Sequence, residues 1–272
     1  MFTTNPTPFP DLNAVLSEWL SAIQTALGDD FIGAYLQGSF AVGDFDGDSD
    51  VDFLVAIRTE LSAAQLAELQ AIHARIYDLP SPWAQHLEGS YFTEEALRRS
   101  DPAGAPPWYL DNTSKVLVRS RHDNTLVVRW VTRERGIALA GPDPKTLIDP
   151  VPADDLRREV LRTMRVTMRE WAGEILDGRS SMDNRWAQPF AVLMYCRMLH
   201  TLHTGTVESK LAGARWGKEA LDGRWAGLIE RAWNERPNPS LKVTQPADPD
   251  DLMRTHDFIK YALGLAVAVG EG

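Results

Sequence analysis

The sequence predicts an α+β protein, with mixed helix and strand in its first half and helix alone in its second. Three observations carry this. Residues 31–37 (FIGAYLQ) and 51–57 (VDFLVAI) are apolar runs enclosing a Gly- and Asp-rich loop, the pattern of two strands joined across a turn. Around them, apolar residues recur at helical spacing. Past Pro152, helical periods continue while strand formers become scarce.

Element by element, the first helix is expected from Asp11 as N-cap, with Leu12, Val15, Leu16, Trp19, Leu20 and Ile23 on its apolar face. The stretch from Leu61 to Tyr77 has a helical composition and is closed by Pro80 and Pro82. A third strand is expected from Gln85 to Phe92. Lys115 to Arg119 and Thr125 to Val131 flank the turn formers His122-Asp123-Asn124, a hairpin-like arrangement. The cluster Gly141-Pro142-Asp143-Pro144 then breaks the chain. In the second half, residues 154–176, 186–203, 221–234 and 249–269 read as helices, and 236–250, rich in Pro and Asp, as an exposed loop. Domains are therefore expected at 1–150 and 151–272, joined through the Pro-rich segment around 141–152. No internal repeat is evident.

Bulk properties narrow the field. At 272 residues, with 44% hydrophobic and 24% charged content, the chain can build one large domain or two ordinary ones and has the composition of a soluble globular protein. A single cysteine, Cys196, excludes an internal disulfide and fits a reducing cytosol. The N-terminus shows no basic segment followed by an apolar core, and the apolar run near the C-terminus is too short for a bilayer, which needs about 20 residues. A cytoplasmic protein with no membrane partner is expected. The formal net charge of −10 argues against nucleic acid as a main partner, because phosphate backbones are held by clustered Lys and Arg. It would steer a cationic small molecule, although acidity for solubility alone gives the same charge.

The chemistry concentrates at Gly38-Ser39 and at Ser49-Asp50-Val51-Asp52. On a strand, Asp50 and Asp52 project from one face. Two carboxylates so placed repel each other unless a cation sits between them, and oxygen-only ligands suit magnesium, which shares its coordination with phosphates. Gly38 lets backbone approach an anion closely, and Ser39 adds a hydroxyl where the loop opens towards a helix. Asp44, Asp46 and Asp48 read as solvated loop acids. Other chemistries lack their signatures: His200 and His203 have no Glu or Cys at zinc-ligand spacing, Ser39 has no Gly-x-Ser-x-Gly elbow, and there is no Gly-x-x-x-x-Gly-Lys-Ser/Thr loop.

Gly-Ser, a spacer, then Asp-x-Asp entering an apolar strand resembles the signature of the DNA-polymerase-β-type nucleotidyltransferase superfamily. Within it, the chain is most similar to the aminoglycoside adenylyltransferases that modify streptomycin and spectinomycin. Four stretches carry the match: GSF…SDVDFLV, HLEGSYF, GPDPKTLIDPVPADDLRREV and CRMLHTLHTGTVESKLAGARW. The resemblance implies a nucleotidyltransferase domain with a central mixed β-sheet and flanking helices, followed by an all-α bundle that completes the ATP and acceptor sites. It implies ATP as co-substrate, two magnesium ions held by Asp50, Asp52 and Glu88, and Glu88 as the catalytic base. Gly38, Ser39, Ser49, Arg197 and Lys210 would contact the nucleotide, with Arg215 and Lys218 as nearby substitutes for Lys210. Partners would be ATP and a small cationic acceptor, and the protein a monomer or weak homodimer.

The acceptor side departs from the family pattern. Asp183 falls on one family acid and Trp108 on a drug-stacking tryptophan, but Ala187 stands where a second acid is expected and Gly178 where a tryptophan is. Asp183, Glu170 and Glu174 could form an anionic pocket or a solvated helical face. Trp171, Trp186, Trp216, Trp225 and Trp233 read as packing residues. Two alternatives stay open: the same transfer to a different acceptor, and a non-catalytic nucleotide sensor or antitoxin-like partner.

Overall fold

A computed structural model of the chain describes residues 5–101, 103–168 and 183–270. Glu170, Trp171, Glu174 and Gly178 lie outside the described residues. The chain divides into two compact units, Met1–Val151 and Pro152–Gly272.

The first unit is built on a six-stranded mixed sheet. Its elements run α1 (Pro10–Leu27), β1 (Phe31–Leu36), α2 (Gly38–Val42), β2 (Val51–Ile57), α3 (Ala63–Tyr77), β3 (Leu87–Thr93), α4 (Glu94–Arg98), β4 (Trp108–Leu110), β5 (Leu117–Arg119), α5 (Leu126–Arg135) and β6 (Ile137–Ala140). The strand order is β5-β4-β3-β2-β1-β6, and β2 with β3 is the parallel pair. A parallel pair needs a long crossover, and α3 supplies it. This helix is held at its start by a capping box: Ser62 Oγ accepts from Gln65 N at 3.2 Å while Gln65 Oε1 accepts from Ser62 N at 3.0 Å.

The alternation of β2 sorts its side chains onto two faces. Val51, Phe53, Val55 and Ile57 join the larger apolar core with Leu12, Leu16 and Trp19 of α1 and Leu69 and Ile76 of α3. Leu54 and Ala56 face the other way, into a smaller core with Tyr35, Phe92, Leu97 and Ile148. Asp52 shares the parity of Leu54, so it stands on this second face. Gly89 lets β2 and β3 close up, since a Cβ there would lie 2.0 Å from the Phe53 carbonyl oxygen.

Several elements differ from expectation. The segment from Thr125 to Val131 is the start of helix α5, not a strand. Its β-branched residues suggest extension, but Thr125 Oγ1 caps the helix by accepting from Val128 N at 3.1 Å. Arg129 then anchors it: the side chain is 2% exposed and donates to the carbonyls of Ala96 at 2.6 Å and Leu97 at 3.1 Å. Strands β4 and β6 were not expected, being only three and four residues long. Helix α1 is capped from Phe9 with Pro10 at its first position, and Asp11 sits inside the first turn, where its charge suits the helix dipole.

In the second unit, α6 (Ala153–Thr163) passes into a π turn over Met164–Met168. The central helix is α7 (Ala187–Thr204), followed by α8 (Lys210–Ala220), α9 (Ala226–Asn234), α10 (Pro239–Lys242) and α11 (Pro249–Gly270). Helix α8 was not expected, and α9 begins later than the expected Leu221, after a turn capped by Asp222. The segment 236–250 holds the short helix α10 within its loop. Helix α7 buries Ala191, Val192, Tyr195 and Cys196 completely, and Gln188 Nε2 donates to Thr255 Oγ1 of α11 at 2.6 Å. No helix among the described residues is long and apolar enough to cross a membrane.

Replacing Gly89 by Ala should destabilise the protein by about 2–3 kcal/mol, because the new methyl group must displace the Phe53 carbonyl from the β2–β3 ladder. Urea denaturation checks this, and an unchanged midpoint would contradict the close approach.

Candidate active site

The parallel register of β2 and β3 pairs Val51 with Leu87 and Asp52 with Glu88. Register partners share a face, with strands about 4.8 Å apart. Asp50, one residue ahead of β2, has the parity of Asp52. The three acids therefore gather at one end of the sheet's second face.

Gly38 closes this end. It holds φ +54°, and a Cβ there would lie 1.9 Å from Asp52 Oδ2, so the loop backbone rests directly on the carboxylate. Gln37 N donates to the Asp52 carbonyl at 2.9 Å, tying the exit of β1 to the same residue. The Ser39 hydroxyl is buried without a hydrogen-bond partner, an arrangement that invites an acceptor from a ligand. Ser49 differs from its expected nucleotide contact. Its Oγ accepts from Asp46 N at 2.9 Å and donates to Asp46 Oδ1 at 3.2 Å, so the hydroxyl closes the loop instead.

Around the acids lie residues that the sequence reading passed over. Asn112 Nδ2 donates to Asp50 Oδ1 at 2.6 Å, and His86 Nδ1 lies 3.1 Å from Asn112 Oδ1. Tyr109 donates its hydroxyl to Glu88 Oε1 at 2.6 Å, and His122 Nε2 lies 3.3 Å from the same oxygen. Asp123, 5% exposed, accepts from Ser90 Oγ at 2.8 Å. The alternation of Tyr109 and Asp111 was the available signal, since both flank Leu110 on one strand face.

Burial pushes the Glu88 carboxyl up to about 7, and the charges of Asp50 and Asp123 add to it, against the Tyr109 hydrogen bond and His122. Burial likewise raises Asp123.

Among the described residues, no three His, Cys, Asp or Glu side chains converge into a ready-made metal cage. The donor set still fits a hard divalent cation in kind. Asp50, Asp52 and Glu88 offer only oxygen, two of them are cross-strand neighbours, and Glu88 resists ionising without added positive charge.

Strand alternation sends Tyr109 towards Glu88 and Trp108 to the opposite face, against the larger core. Its indole N–H donates to Glu60 Oε1 at 3.1 Å, and the Arg119 guanidinium stacks on it at 4.2 Å.

Within the second unit, Arg197 and Lys210 bracket one helix crossing. Gly213, a turn beyond Lys210, would place a Cβ 2.7 Å from Arg197 Cα, so α7 and α8 touch there. Lys210 opens α8 behind the Ser209 cap, and its Nζ lies 5.2 Å from the centre of the Phe190 ring, which stacks on Trp186. Arg215 is exposed, and Lys218 pairs with Glu230. Asp183 is exposed ahead of Asn184, whose Oδ1 accepts from Ala187 N at 2.8 Å, and Ala187 itself is fully buried. Trp225 packs on Phe258, and Trp216 lies between His200 and His203.

Residues 146–260 match the family model described as "Aminoglycoside adenylyltransferase, C-terminal domain". The chain is 24% identical over 276 residues to an Aminoglycoside (3'') (9) adenylyltransferase of Shigella flexneri, covering 93% of this chain and 94% of that protein. It is 24% identical over 232 residues to a Spectinomycin 9-adenylyltransferase of Staphylococcus aureus, covering 78% and 80% of the two. In fold it is similar to the spectinomycin adenyltransferase AAD(9) from Enterococcus faecialis, solved with ATP and spectinomycin. That likeness has a TM-score of 0.62 at 16% identity and covers 92% of this chain and 98% of the other.

Folding raises the Glu88 pKa from 4.5 to about 7, so between those values the native carboxyl keeps a proton that the unfolded one has lost. Stability from this group is complete below about pH 4.5 and is lost as pH rises through about 7. Thermal denaturation in EDTA should show the melting temperature of the natural protein falling relative to Glu88→Gln across that window. Parallel curves would count against a buried Glu88 carboxyl.

Proposed function

Because the chain belongs to the aminoglycoside adenylyltransferase family, whose members are nucleotidyltransferases, we propose that it transfers AMP from ATP to a hydroxyl of a small cationic acceptor, with release of pyrophosphate. The acceptor class that its relatives' names suggest is an aminoglycoside antibiotic. The single observation that carries this reading is the pairing of Asp52 with a largely buried Glu88 on one sheet face, with Gly38 against Asp52.

The transfer needs in-line attack on the α-phosphate, removal of the hydroxyl proton and compensation of charge on the triphosphate. Glu88 is the group for the proton. Burial raises the Glu88 carboxyl above the usual carboxylate range, which makes it a stronger base than an exposed glutamate. Gly38 lets backbone approach the phosphates and the orphaned Ser39 hydroxyl donates to them, while the family resemblance assigns Arg197 and Lys210 to phosphate contacts. Asp50 and Asp52, with Glu88, would hold magnesium, which when bound neutralises and orients the phosphates. The first domain thus carries the chemistry, and the resemblance assigns Asp183 of the helical domain to the acceptor. The reaction is placed in the cytoplasm, on a monomer or weak homodimer.

A second reading keeps the chemistry and changes the acceptor. It is favoured by Ala187, fully buried in the helical core where the family pattern has an acid.

Mass spectrometry of streptomycin, spectinomycin and further hydroxylated amines incubated with protein, ATP and magnesium should reveal an AMP adduct that EDTA abolishes. Adducts only on molecules other than aminoglycosides favour the second reading, and no adduct on any hydroxyl contradicts both. Asp52→Asn and Glu88→Gln should each lower turnover by at least about a hundredfold, with the fold intact by circular dichroism. Arg197→Ala should raise KM for ATP, measured by pyrophosphate release, while an unchanged KM removes Arg197 from the nucleotide site.

A further inference from the structure

Two side chains approach Glu88, and both address the same oxygen. The Tyr109 hydroxyl donates to Oε1 at 2.6 Å, and His122 Nε2 lies 3.3 Å from it, an ion pair when the imidazole is protonated. The two side chains also support each other, since the imidazole stacks on the phenol ring with centroids 4.9 Å apart and planes at 22°. Neither stands by chance. Tyr109 pairs with Ser90 across the β3–β4 ladder, two residues beyond Glu88 on the same face. Ser90 in turn donates to the buried Asp123, which holds the loop carrying His122 against β3. The loop is closed further by Thr125 N donating to the Asp123 carbonyl at 2.8 Å and by His122 N donating to Ser120 Oγ at 3.1 Å.

We infer that Tyr109 and His122 form a clamp that fixes Glu88 through Oε1, so that Oε2 is the oxygen that receives the acceptor's proton. This rests on Glu88 being the base. A carboxylate rotates easily about its terminal torsion, and a base must lie within hydrogen-bond reach of the proton it takes. Anchoring one oxygen selects the orientation of the other. The hydrogen bond also runs to the less reactive side, because Tyr109 keeps its own proton and only holds the carboxylate. In the step itself, the O–H bond of the acceptor breaks, its proton passes to Oε2, and its oxygen bonds to the α-phosphorus as the bond to pyrophosphate breaks. Tyr109 and His122 are positioning residues here, since they act through Glu88.

Tyr109→Phe keeps the ring under His122 and removes only the hydroxyl, and His122→Phe keeps the stack and removes Nε2. With spectinomycin and streptomycin as acceptors, Tyr109→Phe should lower kcat about 10- to 100-fold with KM for ATP unchanged. His122→Phe should lower it less. Wild-type kcat in Tyr109→Phe, or a loss carried wholly by KM for ATP, overturns the clamp. Full transfer by Glu88→Gln would instead overturn the choice of base, which separates the two failures. Crystal structures of the natural protein and Tyr109→Phe test the clamp without an acceptor. Glu88 should change its terminal torsion in the variant, and an identical carboxyl orientation in both overturns the proposal.

Discussion

The parallel pairing of β2 with β3 is the constraint on which the rest depends. Strand polarity decides it. If these two strands ran antiparallel, Asp52 near the start of β2 would face the end of β3, and Glu88 would stand at the far edge of the sheet. Because they run parallel, both acids enter at the same end and on the same face. The crossover through α3 makes that polarity possible. It also places the second wall of the larger core against Phe53 and Val55, which alternate with the acids. The same two strands thus supply the apolar centre and the polar end, one residue apart.

Such an end is costly to build. Carboxylates on one face repel each other, and burial adds a desolvation penalty. The fold distributes that penalty unevenly. Asp50 is half exposed and accepts from Asn112, whereas the Glu88 side chain is only 14% exposed and carries the raised pKa. Asp123, buried further out, is relieved by Ser90. Glu88 is thus the acid whose carboxyl burial holds above the usual range, beside a half-exposed Asp50. The Ser39 hydroxyl, in the first turn of α2 beside Asp52, is buried without a hydrogen-bond partner at the same end. A phosphate held with a divalent cation would satisfy that hydroxyl and the crowded acids together.

What was legible in the sequence follows from the range of the interactions involved. Strand β2 and helix α3 were readable because local pattern and caps define them, as in Ser62 with Gln65. Strands β4 and β6 were not, because a three- or four-residue strand has no periodicity of its own and exists only by pairing. Helix α5 misled in the opposite direction. Its Val-rich start resembles a strand, and the deciding contacts, from Arg129 to the end of α4, lie about 30 residues back in the chain. At the site, Asp50, Asp52 and Glu88 could be named in advance, since a charged residue in an apolar run is conspicuous. Tyr109, Asn112 and His122 could not, because their segments look like ordinary loop and edge strand until β4 is laid beside β3.

The same logic separates the two halves of the acceptor question. Trp108 was expected at the drug site from its match to a family tryptophan, but a strand gives consecutive residues to opposite faces. Tyr109 takes the face of Glu88, so Trp108 is committed to Glu60, Arg119 and the larger core. Ala187 makes the complementary point: its methyl group is fully buried in the helical core, where an acid would be penalised without a partner. Ala187 therefore departs from the family pattern for a structural reason, as a residue packed inside the helical core. Beside Glu88 the same alternation brings a further carboxylate, since Asp111 shares the Tyr109 hydroxyl at 3.0 Å.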